Sequence, residues 1–165
     1  MLQTDRLELK KISLMDAPFI LELFNSPGWK QYIGDRNVHN IEDAENYIRD
    51  KYLPSFKING YGSFVCVLKE TGEIIGSCGL YKRENLNHPD IGFAFLPQFF
   101  GKGYAFEAAS KLMTYARTTL KIPRILGFTT KNNKASIALL LKIGLVENGV
   151  YQFEDDDDEL LLFST

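Results

Sequence analysis

The sequence predicts a layered α/β or α+β fold built on a mixed sheet, and three observations carry that expectation. Strand-like apolar runs occupy Gly62 to Leu68, Ile74 to Tyr81 and Asp90 to Leu96. Helix spacing takes over from Tyr104 to Leu120 and returns after Asn133. Between strand and helix lies a short glycine-punctuated stretch, Gln98-Phe99-Phe100-Gly101-Lys102-Gly103-Tyr104-Ala105. An order of strand, glycine loop, helix, strand and helix requires a sheet covered by helices, with a site where neighbouring strands part.

Taken in order, Arg6 to Ile12 sets Leu7 and Leu9 between charged neighbours, the alternation of a half-buried strand. Asp16 is placed to cap a helix that tolerates Pro18 in its first turn and carries Phe19, Ile20, Leu23 and Phe24 as an apolar stripe. Pro27-Gly28 is expected to stop it, and Gly28 to His39, with Trp29, Tyr32 and Arg36, reads as a loop of functional length. Asn40 caps a second helix, with Glu42 and Asp43 near its positive end and Ala44, Ile48 and Tyr52 facing the core. Lys69 to Glu73 reads as the hairpin turn between the next two strands. Ala105, Ala108, Leu112 and Ala116 form the inner stripe of the long helix, and Arg124 to Thr129 reads as a strand. Asn133 caps a helix that runs to Ile143 and ends at Gly144, after which Leu145 to Tyr151 and Glu159 to Phe163 make a terminal hairpin.

A chain of 165 residues fits one domain and can bury roughly 70% of its extended surface. Twelve Phe, eight Tyr and 45% hydrophobic residues place it outside the disordered class. A formal charge of −2 argues against nucleic acid or anionic membrane as partner. The first eleven residues lack the uninterrupted apolar run of a secretion signal, so a cytoplasmic location is expected. Cys66 and Cys78 sit in apolar strand-like runs and read as reduced core thiols, the rival being a cross-strand pair about Gly72. No metal site is expected.

Glycines at 101 and 103 remove the Cβ atoms that would block an anion, so successive amides and a helix N-terminus can face one phosphate. The plain alternative is a tight turn needing positive φ. Tyr104-Ala105 follow Gly103 where a Walker loop needs Lys-Ser or Lys-Thr, and Phe106 replaces the third glycine of a dinucleotide fingerprint.

Three segments go further. Gln98 to Gly103 fits a Gln/Arg-x-x-Gly-x-Gly/Ala loop at every specified position. Asn133-Lys134-Ala135-Ser136, with Lys142-Ile143-Gly144-Leu145, fits an Asn-x-x-Ser and Lys-x-Gly-Phe pattern apart from Leu145. Thr4-Asp5-Arg6-Leu7, followed by Leu9, fits a recurrent opening strand. Together they resemble the GNAT family of acyl-CoA-dependent N-acetyltransferases, and within it the RimJ and RimL branch of ribosomal-protein alanine acetyltransferases. The resemblance implies a mixed, mostly antiparallel sheet flanked by helices in three α-β-α layers, with residues 1–165 as one domain. It also implies acetyl-CoA as co-substrate and a primary amine as acceptor, on a protein N-terminus or a small molecule, with a homodimer admitted.

On that resemblance, the loop amides from Gln98 through Gly101, Lys102 and Gly103 to Tyr104 would hold the pyrophosphate. The backbone at Phe95 and Leu96 would pair with the pantetheine arm, Asn133 would hydrogen-bond the arm or its sulfur region, and Ser136 would do likewise or only support the helix start. Direct acyl transfer needs a neutral amine, a polarised carbonyl and a thiolate able to leave, and an N–H near Leu96 would stabilise the oxyanion. Some relatives carry a glutamate general base on the strand before the loop, where Asp90 stands. Many carry a tyrosine general acid seven residues after the Asn, where this chain has Leu140, leaving Ser136 or solvent as substitute. His39 and His88 are further candidate bases. Trp29, Tyr32 and Tyr104 are candidate walls of the acceptor pocket. The acidic run Glu154 to Glu159 reads as a solvated hairpin loop, or as an attractor of cationic acceptors. An acyl-CoA sensor without turnover, and a nucleotide-binding protein using the same loop, are the rival functions.

Overall fold

The computed structural model describes residues 1–165. Its strands are β1 (Leu2–Gln3), β2 (Leu7–Lys11), β3 (Ser63–Leu68), β4 (Ile74–Tyr81), β5 (Asp90–Phe95), β6 (Leu126–Thr129), β7 (Val146–Tyr151) and β8 (Leu160–Ser164). They form one eight-stranded sheet in the order β1-β2-β3-β4-β5-β6-β8-β7. Every pairing is antiparallel except β5 with β6, so the expected mixed, mostly antiparallel sheet is what the chain adopts. The helices are α1 (Ala17–Phe24), α2 (Pro27–Tyr32), α3 (Ile41–Tyr47), α4 (Leu53–Asn59), α5 (Tyr104–Thr118) and α6 (Lys134–Lys142).

All six residues of β3 are buried, because helices cover both faces of the sheet. Phe64, Cys66 and Leu68 join the core beneath α5 and α6. Val65 and Val67 join a second core with Ile20, Leu23, Ala44 and Ile48 of the N-terminal helices. Ala108, Ala109 and Ala116 let α5 lie close to the sheet, while Leu112, fully buried, contributes about 2 kcal/mol of hydrophobic stabilisation.

Local chemistry moves three boundaries. Asp16 does not cap α1 through its side chain; its carboxylate turns back to the Ser13 amide at 2.7 Å and closes a short turn over Leu14–Asp16. Pro27 begins α2 rather than ending α1, because a fixed φ suits the first helical position and Ser26 is already extended before it. Trp29 and Tyr32 therefore lie on a helix, and the irregular segment shrinks to residues 33–40. The Asn40 cap forms as expected, its Oδ1 accepting the Asp43 amide at 2.8 Å, yet the helical path continues to Asn59. It passes Pro54 through a π-turn at Ile48–Tyr52, in which the Leu53 amide reaches Ile48 O. Pro54 has no N–H for the carbonyl four residues earlier, so a widened turn is the accommodating geometry. Five-residue spacing then brings Tyr47 and Tyr52 together edge to face, with rings 5.3 Å apart.

Candidate active site

Beyond β5 the chain makes a tight turn at Pro97–Phe99, then passes Gly101 at φ 74° and Gly103 at φ 82° into α5. That left-handed backbone would strain any residue with a Cβ by about 1 kcal/mol or more. The first bond of the helix is Glu107 N to Gly103 O at 3.0 Å. The amides of Gly101, Lys102, Gly103, Tyr104, Ala105 and Phe106 donate to no acceptor in the chain. Unpaired amides at the positive end of a fifteen-residue helix form a receptor for an anion. Gln98 and Lys102 are exposed beside them, and Lys102 Nζ lies 5.7 Å above the Phe99 ring.

This mouth opens onto a gap in the sheet. Parallel β5 and β6 pair at one register position, Asp90 with Leu126, and Leu126 N donates to Pro89 O at 2.9 Å. Past that point the strands diverge, leaving Gly92, Phe93 and Ala94 half-buried in mid-strand. Leu96 was expected to offer its amide here, but Leu96 N donates to Ile75 O of the neighbouring strand at 3.0 Å. Since backbone groups alternate in direction along a strand, Phe95 N–H and C=O face the open edge instead. Phe95, not Leu96, has the main-chain donor free toward the gap.

Across the gap, Asn133 Oδ1 caps α6 by accepting Ser136 N at 3.2 Å. The Asn133 side-chain amide and the Ser136 hydroxyl have no protein partner, and Thr130 Oγ1 is buried without one. Thr130 belongs with these groups, at the C-terminal end of β6; neither periodicity nor a motif distinguishes it in the sequence. Leu140 is 1% exposed and packs over Gly127, where an added Cβ would lie 2.7 Å from its Cδ2. It is a core side chain and supplies no proton.

Asp90 departs from its expected role as an available base. Only 3% exposed, its carboxylate accepts from Arg83 Nε at 2.8 Å and Nη2 at 3.2 Å. Burial raises its pKa above the ordinary Asp value and outweighs the lowering by Arg83's charge and hydrogen bonds. A carboxylate forked by a guanidinium is an anchor rather than a free proton acceptor. Trp29 is corrected as well: it is 8% exposed in the N-terminal core, stacked on Phe24 at 4.0 Å, with Nε1 unpaired. Tyr32 is half-buried at the end of α2, Tyr104 sits beneath Arg6, His39 is exposed and His88 half-buried.

Two aromatic clusters lie elsewhere in the fold. Tyr47, Tyr52 and Tyr81 form a chain of rings 5.3 and 6.3 Å apart, and Tyr81 donates to Ser63 Oγ at 3.2 Å. Phe128, Tyr151 and Phe153 form a second cluster at 4.8 to 5.6 Å, with Arg83 4.9 Å above Phe153. Burial pushes the Tyr52 and Tyr81 phenols up, so both stay protonated at neutral pH.

The model of the acetyltransferase (GNAT) domain matches residues 6–146. An uncharacterized N-acetyltransferase of Bacillus licheniformis, p20, is 30% identical over 151 residues, covering 90% of this chain and 84% of its own. The crystal structure of an acetyltransferase from Agrobacterium tumefaciens superposes with a TM-score of 0.83 at 25% identity, over 99% of this chain and 92% of the other. A ribosomal-protein-S5-alanine acetyltransferase from Vibrio fischeri shares the fold with a TM-score of 0.82 at 18% identity, over 99% and 94%.

Proposed function

The chain belongs to the GNAT acetyltransferase family and is an acyl-CoA-dependent N-acetyltransferase, and from that premise we propose that it uses acetyl-CoA and acetylates a primary amine in one direct step. The observation that carries this reading is the run of unpaired amides from Gly101 to Phe106 at the mouth of the β5/β6 gap. The diphosphate suits those amides, with Gln98 and Lys102 beside them, and the pantetheine arm suits the open edge of β5 at the Phe95 carbonyl. Thr130, Asn133 and Ser136 then supply polar groups at the thioester end. Phe95 N–H holds the developing oxyanion, a contribution of about 3 kcal/mol when preorganised. Solvent takes the proton that the attacking nitrogen loses, and Ser136 or solvent protonates the departing thiolate. With Asp90 held by Arg83, the amine enters already neutral, between the two aromatic clusters.

The acceptor we favour is the α-amine of a protein N-terminus, on the RimJ/RimL-like Thr4-Asp5-Arg6-Leu7 segment. Small amines are the alternative, to which the acidic loop before β8 is suited. The reading takes residues 1–165 as one working domain, supported by β8 lying between β6 and β7. It includes a cytoplasmic location, supported by two free core thiols.

A thermal-shift comparison of CoA, acetyl-CoA and ATP on wild type and Gly103→Glu tests it. Ligand at a hundred times Kd adds about 2.7 kcal/mol of stability. CoA and acetyl-CoA shift the wild type, ATP does not, and the variant loses the response; an equal shift with ATP, or a full response in the variant, discards the reading. Leu140 in the core favours one rival, a sensor that binds acyl-CoA without turnover. Thiol release with a panel of amines separates that rival from the enzyme.

A further inference from the structure

The turn between β1 and β2 touches the anion loop through contacts that the acetyl-transfer reading does not use. Arg6 Nε donates to Glu107 Oε2 at 2.7 Å, and Arg6 Nη1 donates to the Lys102 carbonyl at 3.0 Å. The Arg6 amide and the Thr4 hydroxyl both donate to Glu107 Oε1, at 2.8 and 2.5 Å. The guanidinium also covers the Tyr104 ring at 4.3 Å, and its Nη2 lies 3.3 Å from where a Cβ on Gly103 would stand. Arg6 thus meets Lys102, Gly103 and Tyr104 within the run of unpaired amides and Glu107 just after it. Its own turn is tied to the sheet: Thr4 N donates to Leu7 O at 2.9 Å, Leu7 N to Thr4 Oγ1 at 2.9 Å, and Lys69 N to Arg6 O at 2.9 Å.

We propose that Arg6, working through Glu107 and Thr4, is a positioning residue that holds the 101–106 loop in its receptive form and so sets affinity for the coenzyme. A loop with two left-handed glycines has many conformations to lose on binding, and a rigid brace removes part of that loss in advance. The fork geometry of arginine matters: one nitrogen reaches a carboxylate while another reaches a backbone carbonyl, which a lysine ammonium cannot do in the same plane. Thr4 and Arg6 are the conspicuous polar residues of the opening-strand pattern, and the loop is where their side chains act.

The inference rests on the proposed use of acetyl-CoA, and the test separates the two. Calorimetric Kd for CoA is measured with KM for acetyl-CoA, KM for the amine and kcat, on wild type, Arg6→Ala, Arg6→Lys, Glu107→Gln and Thr4→Val. Arg6→Ala raises Kd for CoA and KM for acetyl-CoA about tenfold, leaving amine KM and kcat at saturation within about twofold. Glu107→Gln and Thr4→Val, which carry the test should Arg6→Ala fail to fold, raise them about threefold, and Arg6→Lys recovers only part of the loss. Wild-type CoA affinity in the folded variants, or full recovery by lysine, overturns the brace alone. Absence of CoA binding by the wild type overturns the cofactor reading and this inference with it.

Discussion

Asp90 and Arg83 illustrate how one side chain's surroundings decide its role. Asp90 is nearly enclosed and Arg83 is 44% exposed, so the two ends of the pair are not equivalent. Replacing the arginine strands a charge inside the protein, whereas replacing the aspartate leaves a guanidinium that water still reaches. Arg83→Met is therefore expected to lower stability by about 3 kcal/mol, and Asp90→Asn by clearly less, as read by urea unfolding. Equal losses would mean that the pair is effectively solvated. Glu107 carries the opposite shift. Burial pushes its carboxyl up, but hydrogen bonds from Thr4, the Arg6 amide and the Arg6 side chain, with the guanidinium charge, outweigh that and hold it below its ordinary value. Its contribution is present above pH 4.5 and lost as pH falls through the folded value. Asp90, raised above 3.8, contributes most below that pH and loses its contribution as pH rises.

At the level of the element, helix ends follow local chemistry wherever a short side chain meets an orphan amide. Asn40 and Asn133 both cap, and both are legible in the sequence because capping involves neighbours within three residues. Asn40→Ala is expected to cost about 1 kcal/mol in thermal unfolding, with acetyl transfer unaffected. The π-turn was not legible, because a proline generally disfavours a continuing helix and it is the packing of Tyr52 against Tyr47 and Tyr81 that favours continuing past Pro54. The loop between β7 and β8 is similarly double in meaning. Its carboxylates are exposed, and Glu159 reaches Lys131 at 3.1 Å, which is worth little at a surface. Changing Asp155 to Asp158 to asparagine is expected to raise KM for a cationic acceptor at low salt and not at high salt; an unchanged KM would make the run only a solvated loop.

Across the whole molecule, one parallel pairing in an otherwise antiparallel sheet opens the gap that forms the candidate site. The crossover from β5 through α5 to β6 carries the loop to the end where those strands separate, as ligand sites at strand carboxyl ends generally require. The same layering encloses Cys66 and Cys78, which are free; Cys66 faces Gly76 and Cys78 faces Phe64, so they are not opposite each other. Burial pushes the Cys78 thiol up to about 12, and Cys66 also well above its ordinary value. Their contribution to stability is complete below pH 9 and lost as pH rises toward the folded values. A thiol reagent at pH 8 should label neither in the native protein and both after unfolding. By itself the sequence determined the strand and helix periods, the asparagine caps and the glycine loop, because each depends on residues close together in the chain. Only the tertiary structure decided that Phe95 rather than Leu96 faces the gap, that Asp90 is locked by Arg83, that Trp29 lies in the core, and that Arg6 reaches the loop. Those outcomes depend on which edge of a strand is already paired and which distant side chain arrives beside it, and no local pattern encodes either.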